Sequence, residues 1–112
     1  MLPNLNPAWS VHAAGEQTSV GAVAALAPRS KNIVSIIRDG AGEYIITMDT
    51  PLGMNDGVMI VTPVFVAGVV IAQPILETPV IDLTRRFIVI VDGVLGGLDA
   101  AFKFVLFRYN AP

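Results

Sequence analysis

Hydrophobic and polar residues alternate with a period of two through residues 43–49. Glu43, Ile45, Thr47 and Asp49 fall on one face, and Tyr44, Ile46 and Met48 on the other. That is the pattern of a half-buried strand. Residues 32–38 before it are rich in β-branched side chains. The intervening Asp39-Gly40-Ala41-Gly42 supplies the residues a tight turn needs. Residues 50–57 hold Pro51, Gly53, Asn55 and Gly57 and predict a loop. Residues 58–66 and 68–72 predict two further strands, and 73–79, with Pro74 and Pro79, a connection or ragged edge. A short strand over 80–83, a strong one over 86–92, a glycine-rich loop over 93–101 and a closing strand over 102–109 complete the pattern. Residues 18–27 form an apolar run of small side chains ending at Pro28. No stretch shows the 3.6-residue apolar period of a surface helix. Short strands separated by turn signals predict an all-β fold: an antiparallel β-sandwich of jelly-roll or related Greek-key topology.

Residues 1–17 carry Pro3, Asn4, Asn6 and Pro7, followed by Trp9 and His12. These predict an extended N-terminal arm over 1–17 and a sandwich domain over 18–112. Trp9 in such an arm has two readings: a plug on its own domain, or an anchor on a neighbour, where tryptophan is enriched at energetic hot spots. In the second, removing residues 1–17 leaves the sandwich folded and weakens attachment to the partner.

The later strands are apolar on both faces. In the closing strand Phe102, Phe104 and Leu106 oppose Lys103, Val105, Phe107 and Tyr109. In residues 86–92, Ile88 and Ile90 oppose Phe87, Val89 and Val91. A two-layer sandwich needs one apolar face per strand. With 112 residues there is little chain left to cover a second face. Trp9, Phe87, Val89, Val91, Val105, Phe107 and Tyr109 are therefore read as contacts to other subunits. Composition points the same way. Hydrophobic residues make up 54% of the chain and charged residues 14%, so apolar side chains must remain outside.

The same composition narrows the chemistry. Seven Lys plus Arg and nine Asp plus Glu give a net charge of −2, with no basic stripe for nucleic acid. Cysteine is absent and there is one histidine, which excludes thiolate chemistry and leaves no zinc set. Asp39, Glu43 and Asp49 lie at turns or strand ends, without the apolar pocket a glycosidase acid needs. Asp49, Asn55 and Asp56 do not follow the spacing of an EF-hand calcium loop. Arg85-Arg86 reads as an edge guard, and the glycines of residues 93–97 as a turn, not a phosphate loop. The uncharged run 57–76 is long enough to span a bilayer, but Pro63, Pro74 and its β-branched content predict two strands. The N-terminus has neither the basic nor the apolar segment of a secretory signal. No catalytic residue, cofactor, metal, nucleic acid or membrane is expected.

Two stretches carry a resemblance. Asn32-Ile33-Val34-Ser35-Ile36-Ile37-Arg38, Asp39-Gly40-Ala41-Gly42 and Glu43-Tyr44-Ile45-Ile46-Thr47 resemble the opening of small β-sandwich domains in bacteriophage structural proteins. Asp99-Ala100-Ala101-Phe102-Lys103-Phe104-Val105-Leu106-Phe107-Arg108 is similar to their closing strand. Such domains occur in tail-fibre tips and in proteins that decorate or cement capsids. With no shaft or repeat before the domain, the chain looks more like a capsid decoration protein. The resemblance implies a non-enzymatic virion protein on the outer capsid surface, made in the host cytoplasm. It would form a homo-oligomer, trimer or dimer, that clamps neighbouring major capsid (coat) protein subunits. The alternative is a receptor- or carbohydrate-binding tip domain of a tail fibre.

Overall fold

The computed structural model describes residues 8–53, 56–64, 70–75, 82–92 and 96–110. Their strands run β1 (Trp9–Gln17), β2 (Ile33–Gly40), β3 (Glu43–Met48), β4 (Gly57–Pro63), β5 (Val70–Ile75), β6 (Arg85–Asp92), β7 (Gly96–Gly97) and β8 (Phe102–Tyr109). All pairings are antiparallel. One sheet has the order β1-β8-β4. The other has the order β2-β3-β6-β5, with β7 also paired to β6. The two sheets form a β-sandwich, and no helix is found among the described residues. First and last strands are neighbours, and β3 pairs β6 across the excursion of β4 into the opposite sheet. These crossovers between layers are of Greek-key kind.

Alternation explains which side chains meet. Tyr44, Ile46 and Met48 of β3 and Ile88 and Ile90 of β6 point inward and are buried, as are Phe102, Phe104 and Leu106 of β8. Tyr44 and Phe102 stack edge to face at 5.0 Å across the layers, and Phe104 lies 6.0 Å from Phe102. A second cluster of Ala13, Met48, Leu52 and Leu106 fills the other end. Pro63 and Pro74 lie in β4 and β5, edge strands of their sheets, where a missing amide hydrogen is tolerated. The uncharged run 57–76 thus supplies β4 and β5. Among the described residues no helix is long and apolar enough to cross a membrane.

The expected arm requires correction. Residues 1–7 lie outside the described residues, but Trp9–Gln17 is a full strand paired with β8 along its length. Pro3 and Pro7 precede it, so nothing within it blocks the ladder. Its alternation is hidden by an irregularity between Val11 and Ala13, which places both His12 and Ala13 inside. The boundary at 17/18 therefore does not separate an arm from a sandwich.

The apolar run 18–27 is a loop, not a strand, apart from an isolated bridge between Gln17 and Leu26. Gln17 shapes it. This fully buried side chain donates to the carbonyls of Ser19 and Ala100, at 2.8 and 3.0 Å. Its oxygen accepts from the amides of Ser19 and Ala25, at 2.7 and 3.1 Å. Both ends of the amide are thus satisfied, as burial requires.

Candidate interaction surfaces

Residues from both stretches that carried the phage resemblance meet in space. Arg38 Nε donates to Asp99 Oδ1 at 2.8 Å, and the Gly42 amide donates to the same oxygen at 2.9 Å. Gly42 has a φ of 70° and sits against the backbone of Ile90 and Leu98, leaving no space for a Cβ. Tyr44 and Phe102, each in one of the two stretches, form the edge-to-face pair already described. The pattern is thus a structural clasp between the β2–β3 turn and the entry to β8. The Arg38 hydrogen bond, aided by the Gly42 amide, holds the Asp99 carboxyl below the usual carboxylate range, while burial opposes the shift. Burial and the charge of Asp99 push the Tyr44 hydroxyl up.

A depressed carboxyl pKa stabilises the fold above the unfolded-state value, and that contribution disappears as pH falls through the folded value. Melting temperature is therefore expected to fall below about pH 4, the ordinary carboxylate region. Asp82, held down chiefly by the Thr84 hydroxyl, contributes in the same direction. Asp99→Asn keeps an acceptor for Gly42 and should make the acid decline shallower. An unchanged acid profile in this variant would show that the clasp does not couple to protonation.

Among the described residues, no three His, Asp or Glu side chains gather as a metal site. His12 Nε2 lies 2.9 Å from the Thr50 carbonyl and 3.2 Å from Asn32 Nδ2, so it joins β1 to the ends of β2 and β3. Arg86, expected at a solvated edge, is buried. It donates to the carbonyls of Leu52, Leu83 and Arg85 at 2.7, 3.1 and 2.8 Å. Burial lowers its pKa. Of the candidate calcium residues, Asn55 lies outside the described residues.

The side chains proposed as subunit contacts divide between two opposite surfaces. Trp9, Val105, Phe107 and Tyr109 lie on the outer face of β1-β8-β4. Strand register lines up Trp9 with Tyr109, Val11 with Phe107 and Val58, and Ala14 with Val105 and Ile60. At the far end the row is Glu16, Lys103 and Thr62. The result is an apolar plate, polar at one end and bordered along β1 by Arg29, Ser30 and Lys31, which line a hollow with Ala14, Glu16, Lys103 and Val105. Trp9 and Tyr109 are 44% and 47% exposed, and their rings stack edge to face at 5.2 Å. Val58 and Ile60 are 49% and 54% exposed. Trp9 is therefore neither a plug in the core nor carried on a detached arm; it stands at the rim of the plate.

Phe87, Val89 and Val91 lie on the outer face of the second sheet. Here Ile37, Ile45 and Phe87 form one row, and Glu43 and Val89 the next. A shallow groove of about 190 Å³ runs over Ile45, Phe87 and Val89, with Asp39 and Glu43 at its edge. Ile37 is 54% exposed, whereas Phe87, Val89 and Val91 are half-buried. Val11, Val58, Ile60 and Ile37 were not among the expected contacts. Only cross-strand register shows that they extend the same rows. No family model, curated protein or solved structure matches this chain.

Proposed function

We propose that this chain is a virion structural protein that decorates and cements a phage capsid, binding coat subunits and its own copies through the outer faces of its sandwich. The observation that supports this most is the apolar plate of β1, β8 and β4, whose central rows carry Val11, Phe107 and Val58, then Ala14, Val105 and Ile60. An apolar patch of contiguous side chains is costly to leave in water and is typical of a surface that meets another protein. The second sheet adds a separate apolar row on the opposite side, so one copy can touch more than one neighbour. The mechanism is burial without catalysis. Each contact made only in the assembled shell stabilises that state by mass action.

The test is association with intact particles. The chain should remain with virions through density-gradient purification and salt washing, at a fixed ratio to the coat protein. Particles lacking it should release their genome at a lower temperature. Absence of the chain from washed particles would overturn the assignment.

A further inference from the structure

We infer that the plate of β1, β8 and β4 pairs face to face with the same plate of a second copy, with the two β8 strands antiparallel. The inference deepens the proposed function by naming the occupant of one surface. The central β8 row, with Lys103 at one end, selects the arrangement; Arg29 and Lys31 flank the plate beside β1. Glu16 and Lys103 occupy one end of the face, and Trp9 and Tyr109 the other. Two two-fold pairings bring such plates together with their strands in line. With the axis parallel to the strands, Lys103 faces Lys103 of the other copy, a like-charge contact that opposes association. With the axis across the strands at the level of Leu106, Lys103 faces Tyr109 of the other copy and can lie over its ring.

The rows in between match under the second operation. Val105 faces Phe107, Ile60 faces Val58, and Ala14 faces Val11, each across the dyad. A smaller side chain opposes a larger one in the first and third rows, which suits the interdigitation of two sheets about 10 Å apart. Three strands spaced by about 4.8 Å, over seven residues of about 3.4 Å each, present roughly 340 Å² per copy. The total of roughly 700 Å² lies below the range of stable specific interfaces, so the dimer is expected to be weak and reversible.

The protein contains no cysteine, so introduced thiols report the pairing directly. In sedimentation at concentrations from about 5 to 200 µM, the wild-type chain should shift from monomer to dimer. Ile60→Asp, at an exposed position, should remain monomeric with its melting temperature unchanged; Val105→Glu should do the same if it folds. With a short thiol-specific bifunctional cross-linker, chosen because facing sheets about 10 Å apart exceed the Cα separation that a direct disulfide bridges, Lys103→Cys protein mixed with Tyr109→Cys protein should cross-link between the two. Lys103→Cys alone should not, because its two copies lie about 20 Å from each other's position along the strands, beyond the reach of such a linker.

Three outcomes would overturn the inference. One is a wild-type chain that stays monomeric at 200 µM. Another is a dimer that survives Ile60→Asp. The third is efficient cross-linking of Lys103→Cys with itself. A monomer that still binds particles would overturn this pairing and leave the structural role standing. A dimer that never associates with particles would do the reverse.

Discussion

Removal of residues 1–17 should leave a chain that does not fold. The deletion takes away all of β1 and with it the backbone partners of one side of β8 from Phe102 to Tyr109. It also removes Ala13 from the smaller core cluster and the fully buried Gln17, whose amide holds the following loop. β8 would become an edge strand with apolar side chains on both faces, which favours aggregation. The expected result is loss of the cooperative thermal transition and a largely insoluble product. Deletion of residues 1–7 alone leaves β1 entire and should preserve the transition. A truncated 18–112 protein melting within a few degrees of the full chain would show that β1 contributes little, and would restore the picture of a detachable arm.

Phe102→Ala should cause the largest loss of stability among single changes in β8. Its ring is fully buried between Tyr44 at 5.0 Å and Phe104 at 6.0 Å, where the two sheets meet. Truncating a buried phenylalanine removes its transfer free energy and leaves a cavity, typically costing about 3–5 kcal/mol. In a domain of this size each kcal/mol lowers the melting temperature by about 4–8 °C, so a fall of some 15 °C or more is expected. Lys103→Ala, one residue along, changes an exposed outer side chain and should cost no more than about 0.5 kcal/mol. Denaturant titration of both proteins measures the difference. Equal losses at the two positions would mean that β8 does not have its inner face at Phe102.

The contrast between these two regions shows what the sequence could reveal. β3 was legible because its inner face is apolar and its outer face mostly polar, so Tyr44, Ile46 and Met48 alternate with Glu43, Thr47 and Asp49, with Ile45 the one apolar residue on the outer side. The double apolarity of β6 and β8 was legible for a similar reason, since apolar residues on both sides of a strand leave one face without an internal partner. β1 was hidden. Its central residues are small, its period breaks at His12, and its stability comes from pairing with β8 at the other end of the chain. Nothing near Gln17 announces that its amide will bond to Ala100. Residues 18–27 read as an apolar run, yet Val20 and Val23 are exposed and the backbone turns around Gln17.

The surfaces were legible only in part. Reading each strand alone marks Val105 and Phe107 as outward-facing. It does not show that Val58 and Ile60 lie beside them, or that Phe87 and Val89 belong to the opposite side of the molecule. Those relations depend on register, which is a property of pairs of strands. The phage-like stretches behave similarly. Their spacing looks like a sequence signature, and in three dimensions it becomes the Arg38–Asp99–Gly42 clasp and the Tyr44–Phe102 contact, which serve folding.

The central claim is that the apolar outer faces serve neighbours and not the fold of the single copy. Ile60 and Ile37 are each 54% exposed and lie on the two opposite faces, so Ile60→Asp and Ile37→Asp separate binding from folding. The decisive measurement is the number of copies retained per washed particle for wild type and both variants, together with the melting temperature of each free protein. The account predicts at least a tenfold loss of retained copies for one or both variants, with melting temperatures within about 3 °C of wild type. Retention of both variants at the wild-type level would contradict it.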